Sequence, residues 1–116
     1  MDVPSNFDPG LSQKIADLND AFRTTFLGGS LCITVAVQER GPDFVKAVLV
    51  RVRDYQTFGP ENDPHGEHDF GVLLVEEQQL YWKIDYYDPS MRHGSDDPAR
   101  PDITRRVLTV MFWDEY

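Results

Sequence analysis

The sequence has one cysteine, no long apolar run and, through its middle, very little positive charge. Cys32 alone rules out an intramolecular disulfide and any cluster-type zinc site. No apolar stretch approaches the ~20 residues of a membrane span. The opening MDVPSNFDPG has neither a basic n-region nor an apolar h-region, so no secretory signal is expected. A reducing, cytoplasmic setting follows as the default. There is no internal repeat and no low-complexity segment. What is there, 41% apolar and 27% charged residues over 116 positions, suits a single domain spanning residues 1–116. A chain of that length buries a core without staples.

The scarcity of bases is local. From Asp54 to Asp102 there are 12 acids against three bases (Lys83, Arg92 and Arg100), a balance of 3 − 12 = −9. The rest of the chain holds 8 acids and 8 bases, so the whole net charge of −9 sits in this window. Such a field repels nucleic acid and steers cationic partners, although acidity of this size also serves solubility alone.

In DPGLSQKIADLNDAFRTTFLGG, Leu11, Ile15, Leu18, Phe22 and Phe26 recur at helical spacing. Asp8 is a candidate cap, Pro9 suits a first turn, and Gly28-Gly29 supply the stop. SLCITVAVQE alternates with β-branched residues and reads as a strand. GPDFVKAVLVRVRDYQTF fits a helical stripe (Val45, Val48, Leu49, Val52, Tyr55), but AVLVRVRDY also alternates. Its length and Pro42 favour helix over residues 43–55, and its valines pull toward strand. FGVLLVEEQQLYWKIDYYD reads as two strands around a polar turn at Glu76 to Gln79. Leu80, Trp82, Ile84 and Tyr86 share one face there, and Tyr81, Lys83, Asp85 and Tyr87 the other. DPSMRHGSDDPARPD is a loop, and ITRRVLTVMFWDEY closes as a strand. The order predicts an α+β fold, with two helices packed on one face of a roughly four-stranded antiparallel sheet.

NDPHGEHDFG, residues 62–71, holds the densest chemistry. His65, His68 and Asp69, with His93 from the later loop, could ligate zinc, manganese or iron. Their spacing is not that of HExxH, which needs both histidines on one helix face. A deaminase-type His-x-Glu lacks its cysteines. WKID has no acid two residues before Lys83, as a restriction-type nuclease core would need. Cys32 is the one thiol nucleophile, in a strand where packing explains it. Ser90 and Ser95 lie near a histidine in sequence only. Against these stands turn chemistry: Asn62-Asp63-Pro64 bonds side chains to backbone, Gly66 permits positive φ, and Gly71 allows close approach. This predicts an ordered loop feeding the strand that begins at Phe70, with Phe70 buried, Asp69 hydrogen-bonded and no stoichiometric metal or other cofactor.

Four segments, LNDAFRTTF, NDPHGEHDFG, WKIDYYD and the closing RVLTVM with EY, resemble the domain-of-unknown-function family numbered 3768. The resemblance runs from about Ile15 onward. It implies a short proteobacterial protein, cytoplasmic and often carried on plasmids and other mobile DNA, and it brings no catalytic assignment. Two functions compete. The first is a non-catalytic acidic binding protein, an anti-defence inhibitor (anti-CRISPR or anti-restriction type) that occupies a nucleic-acid-binding surface of a host nuclease complex. Its contacts would be Asp63, Glu67, Asp69, Asp85, Asp88, Asp96 and Asp97, with Tyr81 and Tyr87 as anchors. Its partner would be a protein with a basic surface, without direct nucleic-acid or membrane binding. The second is a small metal-assisted hydrolase centred on His65, His68, Asp69 and Asp85.

Overall fold

The computed structural model describes residues 9–116. Helix α1 (Pro9–Thr25) leads into strand β1 (Gly29–Ile33), followed by a four-residue helix α2 (Val35–Gln38) and by α3 (Pro42–Arg53). A long loop then delivers the chain to β2 (Phe70–Val75), β3 (Gln78–Tyr87) and β4 (Arg105–Phe112), with a 3-10 turn at Trp113–Glu115. No helix among the described residues is long and apolar enough to cross a membrane.

Spacing decides α3. Phe44, Val48 and Val52 are buried at four-residue intervals, and Pro42 occupies its first turn. Arg51 and Arg53 fall in the last turn, where cations suit the helix dipole. The alternation of the valines is thus overruled by a single apolar stripe. On α1, Ile15, Ala16 and Phe22 are buried, but Leu11 is exposed and Leu18 only half-buried. The buried stripe passes instead through Asn19 and Arg23. The proposed cap, Asp8, lies outside the described residues.

The sheet order is β1-β4-β3-β2. Pairs β2–β3 and β3–β4 are antiparallel, but β1 runs parallel to β4, so the sheet is mixed and not antiparallel as expected. The cause is connectivity. A helix between β1 and β2 returns the chain to the end it left, so both strands point the same way. Two antiparallel reversals then restore that direction at β4, which lies beside β1.

SLCITVAVQE is likewise not one strand. It breaks at Thr34, and Val35 to Gln38 turn helical, burying Val37 completely and leaving Val35 69% exposed. The β2–β3 hairpin turn tightens to Glu76-Glu77, both at positive φ (50° and 66°). That is the two-residue turn whose twist matches the flanking strands.

Parity then assigns the faces. Leu73 and Val75, Leu80, Trp82 and Ile84, and Leu108 and Val110 join Phe22, Val37, the α3 stripe and Tyr55 in one core cluster. Gly71 shares that face, opposite Trp82. Phe70 therefore falls on the other face and is half-buried, not buried. Cys32, expected to pack, is exposed on the edge strand β1. A Cβ on Gly71 would sit 2.6 Å from Trp82 Cε2 and 2.8 Å from Tyr55 Cε1. These are rigid rings inside a packed core. Gly71→Ala is expected to cost roughly 1–3 kcal/mol through overpacking, read as a lowered urea midpoint with unchanged slope.

Candidate functional site

The loop before β2 is built from its own side chains. Asn62 accepts the Gly59 N–H through Oδ1 (2.9 Å) and donates through Nδ2 to Tyr55 Oη (2.9 Å) and the Thr57 carbonyl (2.9 Å). Asp63 Oδ1 accepts the N–H groups of Glu67 (3.0 Å) and His68 (3.1 Å). Those bonds hold the turn closed and require left-handed backbone at Gly66 (φ 67°) and His68 (φ 56°). Only 9% of Asp63 remains exposed.

His68 is then clamped from three sides. Its ring stacks on Phe58 at 3.9 Å and 2°. Nδ1 meets Asp20 Oδ2 of α1 at 2.9 Å, and Nε2 lies 3.8 Å from Asp63 Oδ2. The motif thus fastens α1 to the loop that feeds β2.

A second fastening lies beside it. Asn19 of α1 is completely buried. Its Nδ2 donates to the Glu67 carbonyl (2.9 Å) and to Tyr86 Oη (2.8 Å), and its Oδ1 accepts Arg106 Nε (2.7 Å). Arg106 Nη2 donates to the Pro98 carbonyl, and its guanidinium lies 5.3 Å from the centre of the Tyr86 ring. Tyr86 Oη donates to Asp69 Oδ2 at 3.4 Å. The two acidic loops therefore meet through Asn19 and Arg106.

Burial governs the ionisation here. It raises the Asp69 carboxyl above the usual range, and the charge of Asp63 adds to the shift. Burial and Asp69 raise Glu67 in the same way. The Tyr86 hydroxyl is pushed up by burial and then by Asp69. Burial lowers Arg106, against the pull of Tyr86 and Glu67. The arrangement holds a neutral phenol between an amide and a carboxylate.

The proposed metal ligands do not converge. His65 is exposed beside a hollow of about 510 Å³ lined by Ser12, Gln13, Pro60 and Asp63. His93 is exposed in the other loop, where its carbonyl accepts the Asp88 N–H (2.8 Å). Asp85 is on the opposite face of the sheet from Trp82, paired with Lys83 at 2.9 Å. Among the described residues no group of three His, Cys, Asp or Glu side chains is placed to hold a metal ion.

The proposed contact residues divide into two sets. Asp63, Glu67 and Asp69 are buried or half-buried in the fastenings. Tyr81, Asp85 and Tyr87 share the face away from the core, half-exposed. Asp88 Oδ1 closes its own turn by accepting Ser90 Oγ (2.7 Å) and the Arg92 N–H (3.2 Å), and Asp97 Oδ1 accepts the Ala99 N–H (3.0 Å). Asp96 is exposed. The sequence reading missed Asn19, Arg23, Tyr86 as a buried hydroxyl, and Arg106. Their signal was polar identity at core-facing positions: Asn19 and Arg23 one turn apart on α1, and Arg106 in phase with Leu108 and Val110.

Asn19→Ala leaves the Arg106 Nε and Tyr86 Oη groups without their amide. With about 1–3 kcal/mol lost for each buried group left unpaired, a destabilisation of roughly 3 kcal/mol is expected from urea unfolding. Glu67→Gln acts the other way. The raised Glu67 carboxyl binds its proton more tightly folded than unfolded, so its contribution to stability grows as pH falls through the folded value. The glutamine variant should therefore be more stable than the parent near neutral pH. The gain should shrink as pH falls and vanish below about pH 3, where the carboxyl is protonated in both states. Urea midpoints at the two pH values check it.

A search of curated proteins and a search of solved structures each find no match. A family model does match, over residues 33–115. That range includes NDPHGEHDFG and WKIDYYD, whereas LNDAFRTTF precedes it. Covering most of the chain, the match makes this protein a member of the family described as Protein of unknown function (DUF3768).

Proposed function

We propose that this protein works by binding another protein through the open face of its sheet, and not by catalysis. The observation that carries this reading is the makeup of that face. The Phe70, Tyr81 and Tyr116 rings contact one another at 5.2, 5.5 and 6.1 Å between centroids. Beside them Val72 is 41% and Leu74 61% exposed. No residue of this face belongs to the core cluster. Exposed apolar surface interleaved with tyrosines is what interface centres are made of, since a tyrosine has apolar area and a polar tip.

Charge supplies the partner's character. Asp85 lies on the face, and Asp88, Asp96 and Asp97 follow in the loop that leaves β3. Acidic charge on and near the sheet steers a basic partner toward it. Asp63, Glu67 and Asp69 add to the field but are committed to the scaffold. A basic surface that otherwise holds nucleic acid, in a host nuclease complex, is the partner this reading favours. The protein would then be a cytoplasmic anti-defence inhibitor of bacterial mobile DNA, consistent with the company its family resemblance implies.

The test uses charge reversal at two positions that hold no turn together, Asp85→Lys with Asp96→Lys. The double variant should keep its circular dichroism spectrum, because Asp96 is exposed, Asp85 is half-exposed and paired only with half-exposed Lys83, and surface substitutions usually cost within about 0.5 kcal/mol. Protein immobilised in a proteobacterial lysate should retain a basic protein that elutes as salt rises, and the variant should not retain it. Retention that is indifferent to both salt and charge reversal would end this reading.

A further inference from the structure

The sheet has two edges, and they are treated differently. On β2, the Val72 N–H donates to Tyr55 Oη at 3.3 Å, so the segment after α3 covers that edge. On β1 no described backbone lies alongside, since β1 pairs with β4 alone. Successive residues of a strand aim their N–H and C=O groups to alternate sides. The Thr34 N–H donates to the Val110 carbonyl of β4 at 3.1 Å, which fixes the phase. Ser30 and Cys32 therefore aim inward, and Gly29, Leu31 and Ile33 aim outward. One of the outward carbonyls is already satisfied, because Gln38 Nε2 donates to Ile33 O at 2.6 Å. Among the described residues nothing pairs with the Leu31 N–H and C=O or with the Ile33 N–H.

Beside this edge runs a groove of about 750 Å³ between β1 and α3, lined by Phe26, Leu31, Ile33, Val45 and Leu49. Leu31 is 37% exposed in it. Phe26 holds a left-handed backbone (φ 59°), a strained conformation for a bulky side chain, and its ring forms part of the groove wall. Lys46 and Arg53 line the α3 side. Over residues 39–54 the cations Arg40, Lys46, Arg51 and Arg53 outnumber the acids Glu39, Asp43 and Asp54 by one, and Arg53 is already paired with Asp54 at 3.1 Å. Among the described residues Lys46 has no ion-pair partner.

We infer that the β1 edge and the β1–α3 groove bind an extended, acidic segment of a partner protein by strand addition. Its main chain pairs with Leu31 and Ile33. Its apolar side chains at alternate positions enter the groove, and a carboxylate meets Lys46, with Arg53 and its Asp54 partner at the groove's end. The open backbone groups call for an extended polypeptide, since a compact ligand has no repeating donors and acceptors to offer. The cations call for an acidic one. A second copy of this chain is disfavoured because pairing β1 with β1 would bring two basic α3 helices together. This surface is separate from the open tyrosine face, and its test stands apart from that reading.

The experiment selects from a random peptide library displayed on phage, against the immobilised full chain. The expected winners alternate apolar residues and carry carboxylates. In hydrogen exchange they should protect the Leu31 and Ile33 amides, which exchange freely in the unbound protein. Lys46→Glu with Arg53→Glu, both at exposed positions, should weaken a selected peptide about tenfold or more. N-methylation of alternate peptide residues should abolish its binding without touching the protein's fold. Leu31→Pro, which removes an N–H that aims outward, should do the same from the protein's side. An empty selection, basic winners, protection confined to the Tyr81 face, or binding indifferent to N-methylation would each overturn the proposal. So would a dimer in sedimentation that Leu31→Pro dissolves.

Discussion

A cation removed from water must find hydrogen-bond partners, and Arg106 is 4% exposed. Asn19 and the Pro98 carbonyl meet that demand, and the rest of the arrangement follows from how they do it. Asn19 reaches Arg106 only if α1 lies against β4, and its remaining donors then fall on Glu67 and Tyr86. One amide thus ties a helix to two strands and a loop. Arg23, one turn further along α1, solves the same problem at the end of α3. Its Nη1 donates to the carbonyls of Val52 (2.8 Å) and Arg53 (3.0 Å), in the last turn, where a helix lacks its full set of backbone partners. Its Nε has no hydrogen-bond partner, but the guanidinium lies 5.5 Å from the Phe58 ring centre and 5.3 Å from that of Trp82. Aromatic faces take up part of the missing polar contact.

How much of this was legible depends on the range of each interaction. The helical stripe of α3 and the alternation of β3 are local, and both elements stand where spacing put them. Parallel pairing of β1 was also within reach, since a helix between the first two strands determines their relative direction. The break at Thr34 was less visible. Its Oγ1 donates to Glu115 Oε1 at 2.9 Å, near the far end of the chain, and no local pattern carries that contact. Phe70 was misread for a plainer reason. Hydrophobicity placed the phenylalanine inside, whereas the neighbouring glycine faces inward because Trp82 already fills the space above it.

The dense motif turned out to have a chemistry of attachment. Histidines and carboxylates crowd a short stretch of the loop that crosses from α3 to the sheet, and their polar groups hold that stretch in place. Asp63 closes the turn, His68 reaches α1, and Asp69 reaches Tyr86. Sequence reading found the residues and their turn chemistry. It missed their partners, because Asn19 and Asp20 lie inside what reads as an amphipathic helix. A polar residue on the apolar stripe of such a helix was the available sign.

The parallel pairing of β1 with β4 joins Gly29 to Arg106, residues separated by most of the domain. Closing a loop of that size costs chain entropy before any ladder bond is returned, while the β2–β3 hairpin closes over two residues. The sheet therefore has a cheap end and a dear end. The strand with the bare edge is also the one whose docking recovers least from local contacts. Assembly from the hairpin outward would leave β1 as the final addition, with the folding chain presenting β4, not β1, as its exposed border until β1 docks.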